Sequence, residues 1–136
     1  MKILRQITPE VESLFKGKNF ACFATVMADG SPQVTPVWVD YSDGNILINT
    51  AEGRTKVRNI SKNPKVAVSV TDSTNPYTMV SVRGRIVGQT NTNADEHIDR
   101  MAKKYLDVDK YPFRAPGEKR VLLKIKPESV LYTSPQ

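Results

Sequence analysis

The stretch that decides the fold is "FACFATVMADGSPQVTPVWVDYSDGNILINT", Phe20 to Thr50, in which turn signals separate three apolar segments. The turn signals are Asp29-Gly30 and Asp43-Gly44, and such pairs favour tight hairpin connections. The residues between them are mostly β-branched, aromatic or otherwise apolar, which is typical of strands. The stretch therefore predicts three antiparallel strands that follow one another as a meander.

The second of these strands contains a proline. Pro36 lies in "QVTPVWVDY" and has no N–H group to donate to a neighbouring strand. It therefore predicts a sheet edge, a bulge, or a place where the strand opens.

Other segments add helices and strands. Helical spacing and end signals predict three helices: Thr8 to about Lys16, a short one from Arg54 or Thr55 to Asn63-Pro64, and "NADEHIDRMAKKYL" with Ile98, Met101, Tyr105 and Leu106 on one apolar face. Strands are predicted in "VAVSVTD", "MVSVRGRIVGQ" and "RVLLKIKPESVLY". We expect one domain, residues 1–136, that is mainly β: a small antiparallel barrel with peripheral helices.

Composition limits the classes of function. The single cysteine, Cys22, allows no internal disulfide, and a zinc site would lack its usual ligands with the one histidine, His97, so no metal is expected. We expect Cys22 in the core and His97 on a solvated helix turn. No apolar run reaches the roughly 20 residues that cross a bilayer, which predicts a cytoplasmic protein with no membrane partner. The net charge of +6 favours anionic partners.

The basic segment "GRTKVRNISKNPK", Gly53 to Lys65, contains no acidic residue. Arg54, Lys56 and Arg58 lie in the first turns of its predicted helix, where the helix dipole disfavours cations. A bound phosphate would relieve this repulsion, because free N–H groups at a helix start also bind anions. A solvated basic helix face would explain the same residues.

Three motifs together resemble a known superfamily. "ATxxxDGxPxxTPVW", "TxxxRxKxRNxxxNP" and "VxGR" are similar to motifs of the pyridoxamine-phosphate-oxidase-like, FMN-binding split barrels, and most similar to the small deazaflavin (coenzyme F420)-dependent oxidoreductases. The resemblance implies a six-stranded split barrel, a homodimer, and a cofactor in the groove between subunits. It implies hydride transfer from F420, or alternatively FMN, to a small conjugated or aromatic substrate.

The resemblance also assigns site residues. It implies these cofactor-binding residues: Thr35, Pro36, Val37, Thr50, Arg54, Thr55, Lys56 and Arg58. In this resemblance Arg54 and Lys56 match phosphate ligands, and Thr50 and Thr55 match residues whose hydroxyl groups donate hydrogen bonds. The backbone of residues 35–37 matches the segment that lies along the cofactor ring. Trp38 either contacts the ring or the dimer seam, or belongs to the core. No catalytic side chain is assigned, since the cofactor carries the chemistry of hydride transfer.

Several alternatives stay open. F420 has a phosphate and an acidic polyglutamate tail, which suits the excess of cations better than the single phosphate of FMN. Arg83 and Arg85 share a strand face and would reach either that tail or the partner subunit. A flavin carrier or flavin-reductase-like protein without F420 use is the main rival. Vitamin B6 oxidation is not expected, because "ESVLYTSPQ" lacks the family's Arg and His.

Nucleic acid is not an expected partner. Barrels that bind single strands need aromatic stacking platforms on a basic face. The candidates in this chain, Trp38, Tyr41 and Tyr77, lie among aspartates in the sequence. The positive charge is therefore assigned to a small anionic ligand.

Overall fold

The computed structural model describes residues 2–4, by their backbone, and residues 6–135. Within these residues the chain forms eight strands and three helices. In chain order they are β1 (Lys2–Leu4), α1 (Pro9–Lys16), β2 (Ala21–Val26), β3 (Pro32–Val37), β4 (Asp40–Ser42), β5 (Asn45–Ala51), α2 (Thr55–Lys62), β6 (Lys65–Thr71), β7 (Met79–Thr90), α3 (Ala94–Leu106) and β8 (Arg120–Thr133). The molecule is mainly β with helices around the sheet, which confirms the predicted class.

All strands pair antiparallel in one sheet, in the order β3-β2-β6-β7-β8-β5-β4, with β1 added on β8. The two ends of this path, β3 and β4, are separated in the chain by Trp38 and Val39 alone. Val37 and Asp40 can therefore lie at most about 11 Å apart. The sheet must curl until its edges approach each other, which produces a split barrel.

The predicted strand count of six differs from the eight strands observed. The segment "QVTPVWVDY" forms two strands, because β3 pairs with β2 whereas β4 pairs with β5. The predicted meander is wrong at this step, since β3 and β5 are not neighbours. The opening expected from Pro36 is confirmed, because this proline lies on an edge strand that ends one residue later. Strand β1 was not predicted.

The core fills the inside of the barrel. Its largest fully buried apolar side chains are Phe15, Phe23, Ile46, Ile48, Leu123 and Ile125. Successive strand residues point to opposite faces, so Cys22 points outward beside the buried Phe23. The expectation that Cys22 belongs to the core is therefore wrong.

The predicted helices are confirmed at nearly every boundary. Thr8 caps α1 by accepting a hydrogen bond from the N–H of Val11 at 3.4 Å. On α3 the predicted apolar face is buried except at Leu106, which is 40% exposed where the helix ends. His97 is 1% exposed, so the expectation of a solvated histidine is wrong. None of the helices in residues 6–135 could cross a membrane.

The end of α3 holds the strand break between β3 and β4. The Tyr105 hydroxyl accepts a hydrogen bond from the Val39 N–H at 3.1 Å and donates one to the Asn19 carbonyl at 2.6 Å. Lys104 Nζ donates to the carbonyls of Phe15 and Val39 at 2.8 and 2.7 Å. Burial lowers the pKa of Lys104 to about 8 and raises that of Tyr105 to about 12. The break thus has its backbone groups satisfied by α3.

Gly84, the glycine of the "VxGR" motif, lies where β7 and β8 shift register. A Cβ atom at this position would lie 2.3 Å from the carbonyl oxygen of Lys126. A backbone oxygen cannot rotate away as a side chain can, so the close approach of the two strands requires glycine. The packing of the two strands therefore explains by itself why the motif has glycine at position 84.

Candidate functional site

A cavity of about 280 Å³ opens beside the strand break. Its walls come from the ends of β3 and β5, the start of α2, the start of β8, and α3 with the loop that follows it. Its basic and polar lining consists of Asn49, Thr50, Arg54, Lys56 and Arg120. Its aromatic lining consists of Phe20, Trp38, Tyr111 and Phe113.

The basic side has more cations than carboxylates. Arg120 Nη1 donates to Glu118 Oε1 at 3.0 Å, and Arg54 Nη2 lies 3.7 Å from the same oxygen. Lys56 makes no ion pair within residues 6–135, and its pKa is lowered by burial and then by the charges of Arg54 and Arg120. Three cations beside one carboxylate leave an excess of two positive charges. An anion would complete this arrangement.

The start of α2 is also uncompensated. Arg54 occupies the N-cap position without a side-chain capping bond, and no acidic residue lies in the first turn. The guanidinium of Arg58 donates to the carbonyl of Gly53 and to Thr55 Oγ1. The dipole and the free N–H groups of this helix therefore reinforce the positive potential of the cavity.

The cavity brings together part of the predicted set. Pro36, Val37, Thr50, Arg54 and Lys56 line it. The other predicted residues, Thr35, Thr55 and Arg58, are not on its wall, and the ligand roles of all eight stay predictions. The Thr35 hydroxyl oxygen is buried without a hydrogen-bond partner within the described chain.

Two further arginines lie away from this cavity. Arg83 donates to Ser129 Oγ at 3.4 Å, and Arg85 Nε lies 3.6 Å from Glu128 Oε2. Both are exposed on β7, as the predicted shared face requires. The choice between an acidic tail and a partner subunit stays open for them.

Sequence reasoning missed Arg120 and Asn49. Residues 120, 122 and 124 of β8 point to the outer face of the sheet, where α3 and the following loop cover the first two and leave Lys124 exposed. Arg120 is consequently only 5% exposed, although it belongs to the basic stretch "EKR". The available signal was its position at the very start of an apolar run.

The aromatic side forms a continuous series of ring contacts. Trp38 stacks on Tyr105 with ring centroids 5.1 Å apart and an interplanar angle of 6°. Tyr111 packs edge-on against Trp38, and Phe113 packs edge-on against Tyr111. Trp38 therefore packs against α3 and also lines the cavity, and its contact with a cofactor ring or a dimer seam stays a prediction.

The loop that carries Tyr111 and Phe113 is fastened to α3. The Tyr111 N–H donates to Asp99 Oδ1 at 2.8 Å, and this bond is the main reason that the pKa of Asp99 is lowered. Arg114 bridges Asp95 and Asp99, with both distances at 3.0 Å. The aromatic wall is thus held in place by the polar face of the helix.

A split barrel with a cation-rich cavity beside its strand break is the arrangement that the resemblance predicted for a flavin-type cofactor-binding protein. Residues 7–134 match the pyridoxamine 5'-phosphate oxidase family, so the chain belongs to that family. An F420 reductase of known structure is 30% identical to this chain, with a TM-score of 0.77 and coverage of 88% of this chain and 94% of that one.

More distant structures share the fold alone. General stress protein 26 from Bacillus anthracis is 21% identical, with a TM-score of 0.66 and 91% of each chain covered. HupZ from Group A Streptococcus is also 21% identical, with a TM-score of 0.67 and coverage of 93% of this chain and 94% of HupZ. No curated protein sequence matches the chain.

Proposed function

We propose that the chain is an oxidoreductase that uses coenzyme F420 for hydride transfer to a small conjugated or aromatic substrate. The observation that carries the proposal is the excess of cations around Arg54, Lys56 and Arg120 beside an aromatic wall. A phosphorylated, planar cofactor has both chemistries that such a cavity complements. The 30% identity to an F420 reductase favours the deazaflavin over FMN.

The chain offers a specific part for each portion of such a cofactor. Arg54 and Lys56, with the start of α2, would hold the phosphate, and Arg58 would add charge for an acidic tail. The hydroxyl groups of Thr50 and Thr55 would donate hydrogen bonds to the cofactor. The backbone from Thr35 to Val37 would lie along the ring, because Pro36 and Val37 line the cavity.

A bound deazaflavin or flavin supplies the hydride chemistry itself. The residues of the chain then have three tasks: to bind the anionic groups, to orient the ring, and to exclude water from one side of it. The aromatic wall performs the last task, because Trp38, Tyr111 and Phe113 present apolar surface to the cavity. No catalytic side chain is assigned.

F420 is expected to bind more tightly than FMN, and its affinity is expected to fall more steeply with added salt. The reason is that the acidic tail of F420 forms additional exposed ion pairs, which salt screens. Calorimetric titration of the cofactor-free protein with each compound at two salt concentrations measures both quantities.

Charge reversal tests the tail contact. Arg58→Glu should reduce the difference between the affinities for F420 and FMN. Lys62→Glu, on the same helix, is the matched control and should leave this difference nearly unchanged. Tighter FMN binding with equal salt slopes would instead favour a flavin carrier or a flavin-reductase-like protein.

The proposal includes a homodimer with the cofactor in the groove between subunits. The outer face of β2 and β3 is apolar and exposed: Cys22 lies opposite Pro36, Ala24 lies opposite Val34, and Val34 is 62% exposed. Contiguous apolar surface of this kind marks an interaction site. The face adjoins the cavity through Pro36, which belongs to both.

Sedimentation is expected to give twice the chain mass of 15.2 kDa at low micromolar concentration. Val34→Asp should shift the protein toward the monomer, because a carboxylate in an apolar interface is costly to desolvate. Val87→Asp is the control, since Val87 is a 49% exposed strand valine outside that face. A wild-type monomer that binds cofactor at full strength would contradict the shared groove.

A further inference from the structure

A partly buried chain of hydrogen bonds runs from Asp40 through His97 of α3 to the cavity. His97 Nε2 lies 3.1 Å from Asp40 Oδ2, and its Nδ1 lies 3.1 Å from Asn49 Nδ2. Asn49 Oδ1 in turn accepts a hydrogen bond from Arg120 Nε at 3.0 Å. Asn49 and Arg120, which the sequence did not predict as site residues, are thus joined to His97, which was expected in solvent.

The partners of Asn49 fix the role of each nitrogen of His97. Asn49 Nδ2 donates one hydrogen to the Ala94 carbonyl at 2.8 Å, while Oδ1 faces Arg120. The second hydrogen on Nδ2 therefore points to His97 Nδ1, which must accept it. The ring hydrogen of the neutral imidazole is then on Nε2 and is donated to Asp40.

Asp40 is well suited to accept that hydrogen. Burial by itself would raise its pKa, but the hydrogen bond from His97, the Tyr41 N–H and the charge of Lys16 lower the pKa to about 2. Asp40 is therefore an anion at neutral pH. Each of the three hydrogen bonds that link Asp40, His97, Asn49 and Arg120 thus joins a donor to an acceptor.

We infer that His97 is a positioning residue that acts through Asn49 to hold the guanidinium of Arg120 toward the anion in the cavity. The inference rests on the proposed function, in which that anion is the cofactor phosphate. Arg120 has its Nε and Nη1 engaged by Asn49 and Glu118, while its guanidinium carbon lies 5.0 Å from the centre of the Tyr111 ring. Fixing the guanidinium in this way lowers the entropy cost of binding.

Protonation of His97 breaks this arrangement. A hydrogen on Nδ1 would face the NH₂ group of Asn49, and the amide could accept it only by turning over. Turning over removes Oδ1 from Arg120 and places a donor against another donor. The orientation of Arg120 is therefore coupled to the charge on His97.

Charged groups of both signs face His97 from the packed elements. They share a polar cavity of about 560 Å³ on the far side from Arg120 and are Asp40, Asp43, Lys16, Arg100 and Lys124. The role of His97 is for this reason tested with variants of His97 itself at a single pH.

The first test needs no cofactor. In the ¹⁵N spectrum of the full chain at pH 8, the Nε–H of Arg120, assigned by its loss in Arg120→Lys, is expected to be sharp and slowly exchanging, because Asn49 Oδ1 accepts it and a free arginine Nε–H exchanges rapidly with solvent at this pH. Asn49→Ala removes the acceptor and His97→Leu removes its support, so the signal should broaden in both, whereas His97→Gln keeps an acceptor for Asn49 Nδ2 and should preserve it. A signal that is unchanged in Asn49→Ala and His97→Leu, or that is lost alike in His97→Gln, would overturn the inference.

The second test uses FMN and F420 as probes in a double-mutant cycle. Arg120→Gln and His97→Leu are each expected to weaken binding by about tenfold, and the double variant by little more than either, because both act through one guanidinium. His97→Leu combined with Lys56→Ala should be additive. Additive losses for His97 and Arg120 would overturn the inference alone, whereas failure of the wild type to bind either probe would overturn the proposed function and leave the spectrum to decide.

Discussion

Replacing Lys56 by alanine is expected to weaken binding of F420 or FMN by about tenfold to a hundredfold, or about 1.5–3 kcal/mol. Lys56 is half-buried on the cavity wall and has no carboxylate partner within residues 6–135. Its charge is therefore available to an anion and contributes little to holding the barrel together. Both cofactors should be affected, since both have the phosphate.

Titration calorimetry measures the change, with thermal unfolding as a check on the fold. Lys62→Ala is the matched control, because Lys62 is an exposed lysine in the last turn of the same helix. We expect the control to bind as the wild type does. Unchanged affinity in a folded Lys56→Ala protein would remove Lys56 from the site.

Replacing Gly84 by alanine is expected to lower the free energy of unfolding by about 3 kcal/mol. The added Cβ would lie 2.3 Å from the carbonyl oxygen of Lys126, so β7 and β8 would have to move apart at this point. These two strands form the longest strand pair of the sheet. No rotamer change relieves a contact with backbone. The alanine protein should also be poorer in cofactor binding, because β8 carries Arg120.

Gly88→Ala supplies the comparison, since Gly88 lies at another register shift of the same two strands. Its Cβ would lie 3.2 Å from Lys124 Cδ, which belongs to an exposed, flexible side chain that can move. We expect a loss below about 1 kcal/mol there. Urea unfolding of both variants measures the difference, and equal losses would show that the close approach at Gly84 is not limiting.

The strands were predictable because their signals are local, but their partners were not. "QVTPVWVDY" looks like one strand, and only Pro36 indicated that it opens. The split depends on two elements distant in sequence, since β3 pairs with β2 while β4 pairs with β5. The sequence also did not show which face of β2 points into the core. Both faces of "FACFATV" are apolar, so alternation alone could not place Cys22.

The residues of the candidate site were likewise predictable where they lie close in sequence and not where they lie far apart. Thr50, Arg54 and Lys56 lie within one short motif, and the structure places all of them on one cavity wall. Arg120 reaches that wall by a hydrogen bond to Asn49, 71 positions away in the chain. A contact over such a separation leaves no pattern in a single sequence, and the same holds for the burial of His97 on the sheet-facing side of α3.

Trp38 gives the molecule a built-in optical reporter. It is the sole tryptophan of the chain, so indole emission arises from one place. One side of its ring rests on Tyr105, which secures the junction of the two sheet edges, and the ring also borders the cavity. Light emitted by the unlabelled protein should therefore respond both to a ligand entering the cavity and to loosening of that junction.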